Sequence, residues 1–191
     1  MKIATLISGR GTNLQSLIDA EKEGKLSGKI VVVISDNSEA YGLERAKKAF
    51  IPIEVLKEEE EISRKLKELG VDLVVLAGFM KILSEEFVKE RKNAIINIHP
   101  SLLPSFKGLN AQKQAIDYGV RVSGCTTHFV DEGMDTGPII LQKEVEIEKN
   151  ETVETLSNKI LAEEHKMLVK TVELFCNEKL IVEGRKVIIK E

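Results

Sequence analysis

Two cysteines, Cys125 and Cys176, are all that the chain contains, and neither stands in a CxxC spacing or beside a histidine cluster. The fold therefore needs neither a disulfide framework nor a Cys/His metal site, and two isolated thiols suit a reducing cytoplasm. An excess of positive charge is missing as well. Lysine and arginine number 28 against 31 aspartate and glutamate, for a net charge of −3, and the two signs are interspersed. No basic face for nucleic acid is expected from such a pattern. Long apolar runs are lacking: the first, Ile3 to Ile7, is too short for the core of a signal peptide, and no later run could span a bilayer. Repeats, linkers and low-complexity segments are absent. What is left is the expectation of one compact, soluble, cytoplasmic unit over residues 1–191. A chain of that size buries roughly two-thirds of its unfolded surface.

The stretch that organises the rest is Ile95-Ile96-Asn97-Ile98-His99-Pro100. Residues two apart on a strand share a face, so Asn97 and His99 project together while Ile96 and Ile98 face the other way. Pro100 keeps His99 extended and ends the strand. An amide and an imidazole thus sit side by side at a strand's C-terminal end, where open α/β sheets place ligands. Around this strand lie further apolar runs at Lys2–Ser8, Ile30–Ser35, Pro52–Leu56 and Asp72–Leu76. Helical segments alternate with them: one starting near Asn13, one over 40–49, and one from Glu58 to Leu69 closed by Gly70, whose acidic start reads as a solvated first turn. Another starts near Ser84, and Asn110 is expected to cap a helix that Gly119 ends. Val122–Val130 and Ile139–Glu148 are later strands, the second with alternating glutamates that give it a wet face and an antiparallel place. A long helix from Thr152 to Asn177 turns Leu156, Ile160, Leu168, Val172 and Phe175 inward, and Leu180–Lys190 reads as a hairpin turning near Gly184. The fold class is α/β: a doubly wound, mostly parallel, Rossmann-like sheet of about seven strands with an antiparallel C-terminal part and a long C-terminal helix.

Four features carry chemistry. After the first strand come Gly9-Arg10-Gly11-Thr12-Asn13, and Thr12 with Gln15 makes a capping-box pattern. A strand, a glycine turn and a helix start form either an ordinary βα turn or an anion site, since unpaired N–H groups point outward there. Leu14 stands where a dinucleotide fingerprint wants its third glycine, and Asp36 alone matches the ribose-binding acid, so a single phosphate on a smaller ligand fits better. The apolar loop Ala77–Leu83 is a pocket wall or core. Asp131–Pro138 is turn chemistry throughout, with Asp135 between Gly133 and Gly137 in a loop tight enough to press a carboxylate against a neighbour. Glu164 falls on the inward stripe of the long helix, where it either meets a cationic ligand or lies at the stripe's edge.

Taken together, Ser8–Asn13, Leu76–Leu83, Asn97–Pro104 and Asp131–Pro138, in this order and spacing, resemble the phosphoribosylglycinamide formyltransferases, the folate-dependent formyltransferases of purine synthesis. The resemblance covers essentially the whole chain. It implies that Asn97, His99 and Asp135 are the catalytic trio and that Gly11, Thr12 and Asn13 hold the ribose phosphate of glycinamide ribonucleotide. Glu164 would bind the ribosyl-glycinamide portion. Met80, Lys81, Ile82 and Leu83, with Ile95, Asn97 and Val130, would line the pocket for 10-formyltetrahydrofolate, a co-substrate, with no metal required. Lys81 stands where arginine is commoner, and neither Lys57 nor Arg64 matches the arginine that usually meets the folate's glutamate tail. Small molecules would be the partners, with no nucleic acid and no membrane, in a monomer or homodimer.

In the implied reaction a primary amine attacks the formyl carbon and charge develops on the formyl oxygen. Asn97 N–H and a protonated His99 suit that oxyanion, and Asp135 is expected to raise the His99 pKa and relay the amine's proton. His128 reads as a supporting group and His165 as surface or structural. The rivals are a methionyl-tRNA formyltransferase, for which the chain lacks the length and basic charge of a tRNA domain, a formyltetrahydrofolate deformylase, which usually carries an extra N-terminal domain, and a non-catalytic nucleotide-binding regulator.

Overall fold

Apolar strands that are buried on both faces need cover on both faces, and the chain supplies it by alternating strands with helices. The computed structural model describes residues 1–190. The elements run β1 (Lys2–Ile7), α1 (Thr12–Lys22), β2 (Lys29–Ser35), α2 (Tyr41–Lys48), β3 (Ile53–Val55), α3 (Glu59–Leu69), β4 (Leu73–Leu76), α4 (Glu85–Glu90), β5 (Ile95–His99), α5 (Ala111–Tyr118), β6 (Val122–Phe129), β7 (Ile139–Glu146), α6 (Val153–Cys176), β8 (Leu180–Glu183) and β9 (Lys186–Ile189). They form one sheet in the order β3-β2-β1-β4-β5-β6-β7-β9-β8. The first five are parallel. β6 is antiparallel to β5 and β7 antiparallel to β6, as the wet face of β7 led us to expect. The sheet has nine strands and not about seven, because the C-terminal hairpin adds itself to the edge: β9 meets β7 in parallel through Lys186 opposite Ile139.

The strand order reverses between β1 and β4, and a crevice opens at such a switch point outside the strands' C-terminal ends. The loops after β1, β4 and β5 all arrive there. Two apolar layers flank the sheet. One joins Ile3, Ile7, Val33, Val75, Ile96 and Ile98 to Leu14, Leu17 and Ile18 of α1 and Leu156, Ile160, Leu168 and Val172 of α6. The other joins Leu6, Ile34, Val74 and Ile95 to Ile62 and Leu66 of α3 and Phe87 and Val88 of α4. Full burial of each such side chain is worth roughly 1.5–3 kcal/mol, so α6 is held chiefly by its stripe. Ile96 and Ile98 thus pack under α6 while Asn97 and His99 face the opposite layer, as the alternation of β5 requires.

Two helix starts differ from expectation. Gly11, with φ 68°, is the N-cap of α1, and no side chain caps the helix. Thr12 already lies inside it, so its hydroxyl is past the position from which a capping box forms. Gln15 bonds elsewhere, its Nε2 donating to Asp19. Asn110 precedes α5 in the left-handed region, φ 58°, again with no side-chain cap bond. Thr152 does cap α6, with Thr155 returning the bond. The acidic start of α3 is not purely solvated, because Glu59 accepts from the Ser84 N–H at 3.0 Å and ties α3 to the start of α4. The Leu103–Pro104 peptide is cis. Among the described residues no helix is long and apolar enough to cross a membrane.

Candidate active site

Asp135 is the hub at the end of β5. Its Oδ2 lies 3.3 Å from His99 Nδ1 and accepts the Gly108 N–H at 2.8 Å. Its Oδ1 lies 3.5 Å from Asn97 Nδ2 and 3.6 Å from His128 Nε2. Only 11% of this side chain is exposed. The loop that delivers it is tightly built. Asp131 Oδ1 accepts from the Gly133 N–H and the Thr136 hydroxyl, and Arg185 of the hairpin donates to the Thr136 carbonyl at 2.7 Å. A Cβ on Gly137 would fall 1.7 Å from the Phe129 carbonyl oxygen, so only glycine lets the loop return against β6. Asp135 itself takes φ 52°, a region that Asp and Asn tolerate better than most residues.

His99 is 5% exposed and is engaged at both ring nitrogens. Nε2 lies 2.9 Å from the Phe106 carbonyl, and Nδ1 faces Asp135. Both partners accept, so a proton on each nitrogen would satisfy both. Burial nevertheless outweighs them and holds the His99 pKa below its ordinary 6.5, although the Phe106 carbonyl and the Asp135 charge pull it up and His128 pulls it down again. This corrects the expectation of a raised His99: Asp135 acts in the expected direction, and the desolvated ring sets the net sign. For Asp135, burial pushes the carboxyl up, but the His128 imidazole, the Gly108 N–H and the charge of His99 together hold it at about 2. The carboxylate is ionised at neutral pH.

His128 sits opposite Asn97 across the antiparallel pair of β5 and β6. Its Nδ1 lies 2.8 Å from the Phe129 carbonyl, which leaves Nε2 facing the Asn97 amide at 3.2 Å. It therefore stands beside two of the candidate residues, Asn97 and Asp135. The Phe106 carbonyl and the Gly108 N–H, by contrast, were missed. Both are backbone atoms of a loop in which Phe106 and Gly108 have positive φ, and a backbone atom leaves no mark in the residue types.

A second cluster lies across the crevice, where α1 meets α6. Asn13 Nδ2 donates to Glu164 Oε2 at 3.0 Å, and Glu164 is 6% exposed. The glutamate is therefore on the inward face and not at its edge, and its partner in the chain is an amide. Burial raises its carboxyl to about 7, with only the Asn13 bond drawing it down. Asn13 Oδ1 is buried with no partner. Gly11, Thr12 and Asn13 form the turn beside it, at a helix start whose first N–H groups have no intrahelical acceptor.

The loop after β4 is tied to β1 by the Ser8 N–H bond to the Gly78 carbonyl, 3.1 Å, and by the Met80 N–H bond to the Ser8 hydroxyl, 2.9 Å. Met80 and Ile82 stand 67% and 81% exposed and form an apolar rim, while Ala77 is buried in one apolar layer and Phe79 and Leu83 pack against the other, so the loop is both rim and core. Leu83 and Val130 are half-buried. Ile95 is 1% exposed beneath α4 and has no face open to a ligand. Lys81 donates to the Lys57 carbonyl, while Arg64 lines a separate charged groove between α3 and α4 with Lys67 and Lys89.

A sequence profile described as "Formyl transferase" matches residues 1–172. The chain belongs to the formyl transferase family. It is similar to phosphoribosylglycinamide formyltransferase of Haemophilus influenzae, 43% identical over 188 residues that make up 94% of this chain and 89% of that protein. The glycinamide ribonucleotide transformylase 1 structure from Symbiobacterium toebii superposes with a TM-score of 0.97 at 45% identity, covering 100% of this chain and 94% of that one. The trifunctional purine biosynthetic protein adenosine-3 of Bos taurus is 46% identical over 182 residues, 91% of this chain. The chain spans only 18% of the length of that relative.

Proposed function

We propose that this formyl transferase domain moves the formyl group of 10-formyltetrahydrofolate to the amine of 5'-phosphoribosylglycinamide, giving the formylated ribonucleotide and tetrahydrofolate. The observation that carries the reading is the convergence of Asp135 on His99, with Asn97 and His128 within 3.6 Å of its other oxygen, at the end of β5. The amine nitrogen attacks the formyl carbon, and the carbonyl electrons move to oxygen. The Asn97 amide stabilises that oxyanion, its bonds to His128 and Asp135 being long enough to yield. His99, when protonated, would be the second donor by sharing with that oxygen the Nδ1–H that faces Asp135. Asp135, ionised and facing His99 Nδ1, takes the amine's proton by way of a water and returns it to the folate nitrogen as the carbon–nitrogen bond breaks. The apolar rim of Met80, Ile82 and Leu83 would cover the folate, and Lys81 would supply charge beside it. Gly11, Thr12 and Asn13 would receive the ribose phosphate, and Glu164, held by Asn13, the ribosyl-glycinamide portion.

The test offers the purified chain 10-formyltetrahydrofolate with glycinamide ribonucleotide, initiator methionyl-tRNA or water as acceptor. Turnover with the ribonucleotide alone is expected. Turnover with water at an equal rate would make the chain a deformylase, and turnover with tRNA alone would overturn the substrate assignment.

A further inference from the structure

The glycine loop after β1 carries a cation that no acid among the described residues neutralises. Arg45 of α2 is half-buried. Its Nε donates to the Arg10 carbonyl at 2.8 Å, its Nη1 to the Gln15 side-chain oxygen at 3.2 Å, and its guanidinium lies 5.0 Å from the centre of the Tyr41 ring. All three partners are uncharged. Among the described residues Arg45 makes no ion pair, while its helix neighbour Glu44 pairs with Lys47. Glu164 is not a hidden counter-ion, since its carboxyl rises to about 7 with no cation drawing it down. His165 does sense the guanidinium: burial first, and the charge of Arg45 second, hold that imidazole below 6.5.

The guanidinium is also fixed in place. The Gly42 N–H donates to the Gly9 carbonyl at 3.0 Å, so α2 is bolted to the loop. A Cβ on Gly11 would lie 2.6 Å from the Gly42 Cα and 3.5 Å from the Arg45 Cδ, which puts the arginine stem directly over the turn. A half-buried guanidinium normally finds a carboxylate or a phosphate, because desolvating a charge without one is costly. Here three neutral contacts hold it still beside a helix start that offers free N–H groups.

We propose that Arg45 is the counter-charge for the substrate's phosphomonoester at the Gly11–Asn13 turn, and that it selects a dianionic phosphate over an uncharged group at that position. The inference rests on the reading above that Gly11, Thr12 and Asn13 receive the phosphate. A loop of N–H groups alone binds many anions; a fixed guanidinium adds a charge-assisted, directional bond.

The experiment compares the wild type with Arg45→Gln, Arg45→Lys and Arg10→Gln. It uses formyl-transfer kinetics with glycinamide ribonucleotide and with its dephosphorylated riboside, and calorimetric binding of ribose 5-phosphate. Arg45→Gln is expected to raise the KM for the ribonucleotide roughly ten- to a hundredfold, the weight of a charge-assisted bond, with kcat within about twofold. It should leave the riboside's kinetics alone and flatten the salt dependence of KM. Arg45→Lys should recover most of the loss, and Arg10→Gln, which alters an exposed side chain, should change little. Equal losses on ribonucleotide and riboside with no rescue by lysine would make Arg45 a structural tie and overturn the proposal. So would an Arg45→Gln enzyme with unchanged KM, or an Arg10→Gln enzyme that takes the loss instead. A wild type inert toward the ribonucleotide would sink the proposed function; Arg45 is then judged by ribose 5-phosphate, whose binding should still fall in Arg45→Gln, and failure of the wild type to bind it would refute the inference.

Discussion

Asp135→Asn removes one charge at the point where the site converges and little else. Asparagine tolerates the left-handed backbone that Asp135 adopts, and its Oδ1 still accepts the Gly108 N–H, so the loop should keep its course. The carboxyl stands at about 2 in the folded protein against an ordinary 3.8. With 1.36 kcal/mol for each unit, the ionised carboxylate contributes about 2 kcal/mol to stability. Because the folded pKa is the lower one, this contribution is present in full above the unfolded value and disappears as pH falls toward the folded value. The variant should therefore melt roughly 4–8 °C below the wild type at neutral pH, and the gap should narrow below pH 4 and close only as pH falls to about 2. His99 loses the charge that pulls its pKa up, so its titration should move further below 6.5. Turnover should fall on the order of 10²–10⁴-fold, the range for losing a positioned acid–base group. Initial-rate formyl transfer, thermal melts at both pH values and an NMR titration of the His99 ring read these effects separately. Turnover within tenfold of wild type, or an unmoved His99 titration, would refute the account of Asp135 as hub.

Three further outcomes are expected. His99→Ala should lower kcat by about 10²–10³ while leaving the KM for the ribonucleotide near normal, because the Asn13–Glu164 cluster lies across the crevice; steady-state kinetics decide it. Glu164→Gln should change the pH dependence of stability. A buried acid raised from 4.5 to about 7 loses stability as pH climbs through that window, on the order of 3 kcal/mol in all, so denaturant titrations from pH 5 to 7.5 should show a wild-type decline that the variant lacks. A variant with the same slope would remove Glu164 as its source. Gly11→Val should raise the KM for the phosphorylated acceptor and destabilise the fold, since its Cβ would meet the Gly42 Cα at 2.6 Å in a left-handed turn; an unchanged KM would move the phosphate elsewhere.

Much of the architecture was legible from local pattern. The apolar runs of β1, β2 and β4 and the alternation in β5 placed each strand to within a residue or two, because periodicity and Gly or Pro boundaries are local effects. The two missed side-chain caps are failures of the same kind of reading. Thr12 and Asn110 carry the right chemistry, but the backbone at Gly11 and Asn110 enters the helix through positive φ, from which no cap bond forms. The hairpin β8–β9 was read correctly and its docking on β7 was not, since one parallel pair between distant segments leaves no periodic trace.

At the candidate site the same division holds. Residue type and spacing alone put Asn97 and His99 on one face, marked Asp135 as a carboxylate in a tight loop, and placed Glu164 on the inward stripe of the long helix or at its edge. The resemblance built on those motifs named the trio. Only the tertiary structure decided that Asp135 would touch three side chains at once, that the Phe106 carbonyl and Gly108 N–H would complete the cluster, and that Arg45 would lie over the glycine loop without a counter-ion among the described residues. It also reversed the sign at His99. A residue's chemistry is written in its type, but whether water reaches it depends on everything packed around it, and for a ring buried to 5% exposure that desolvation outweighs the one charge the sequence could point to.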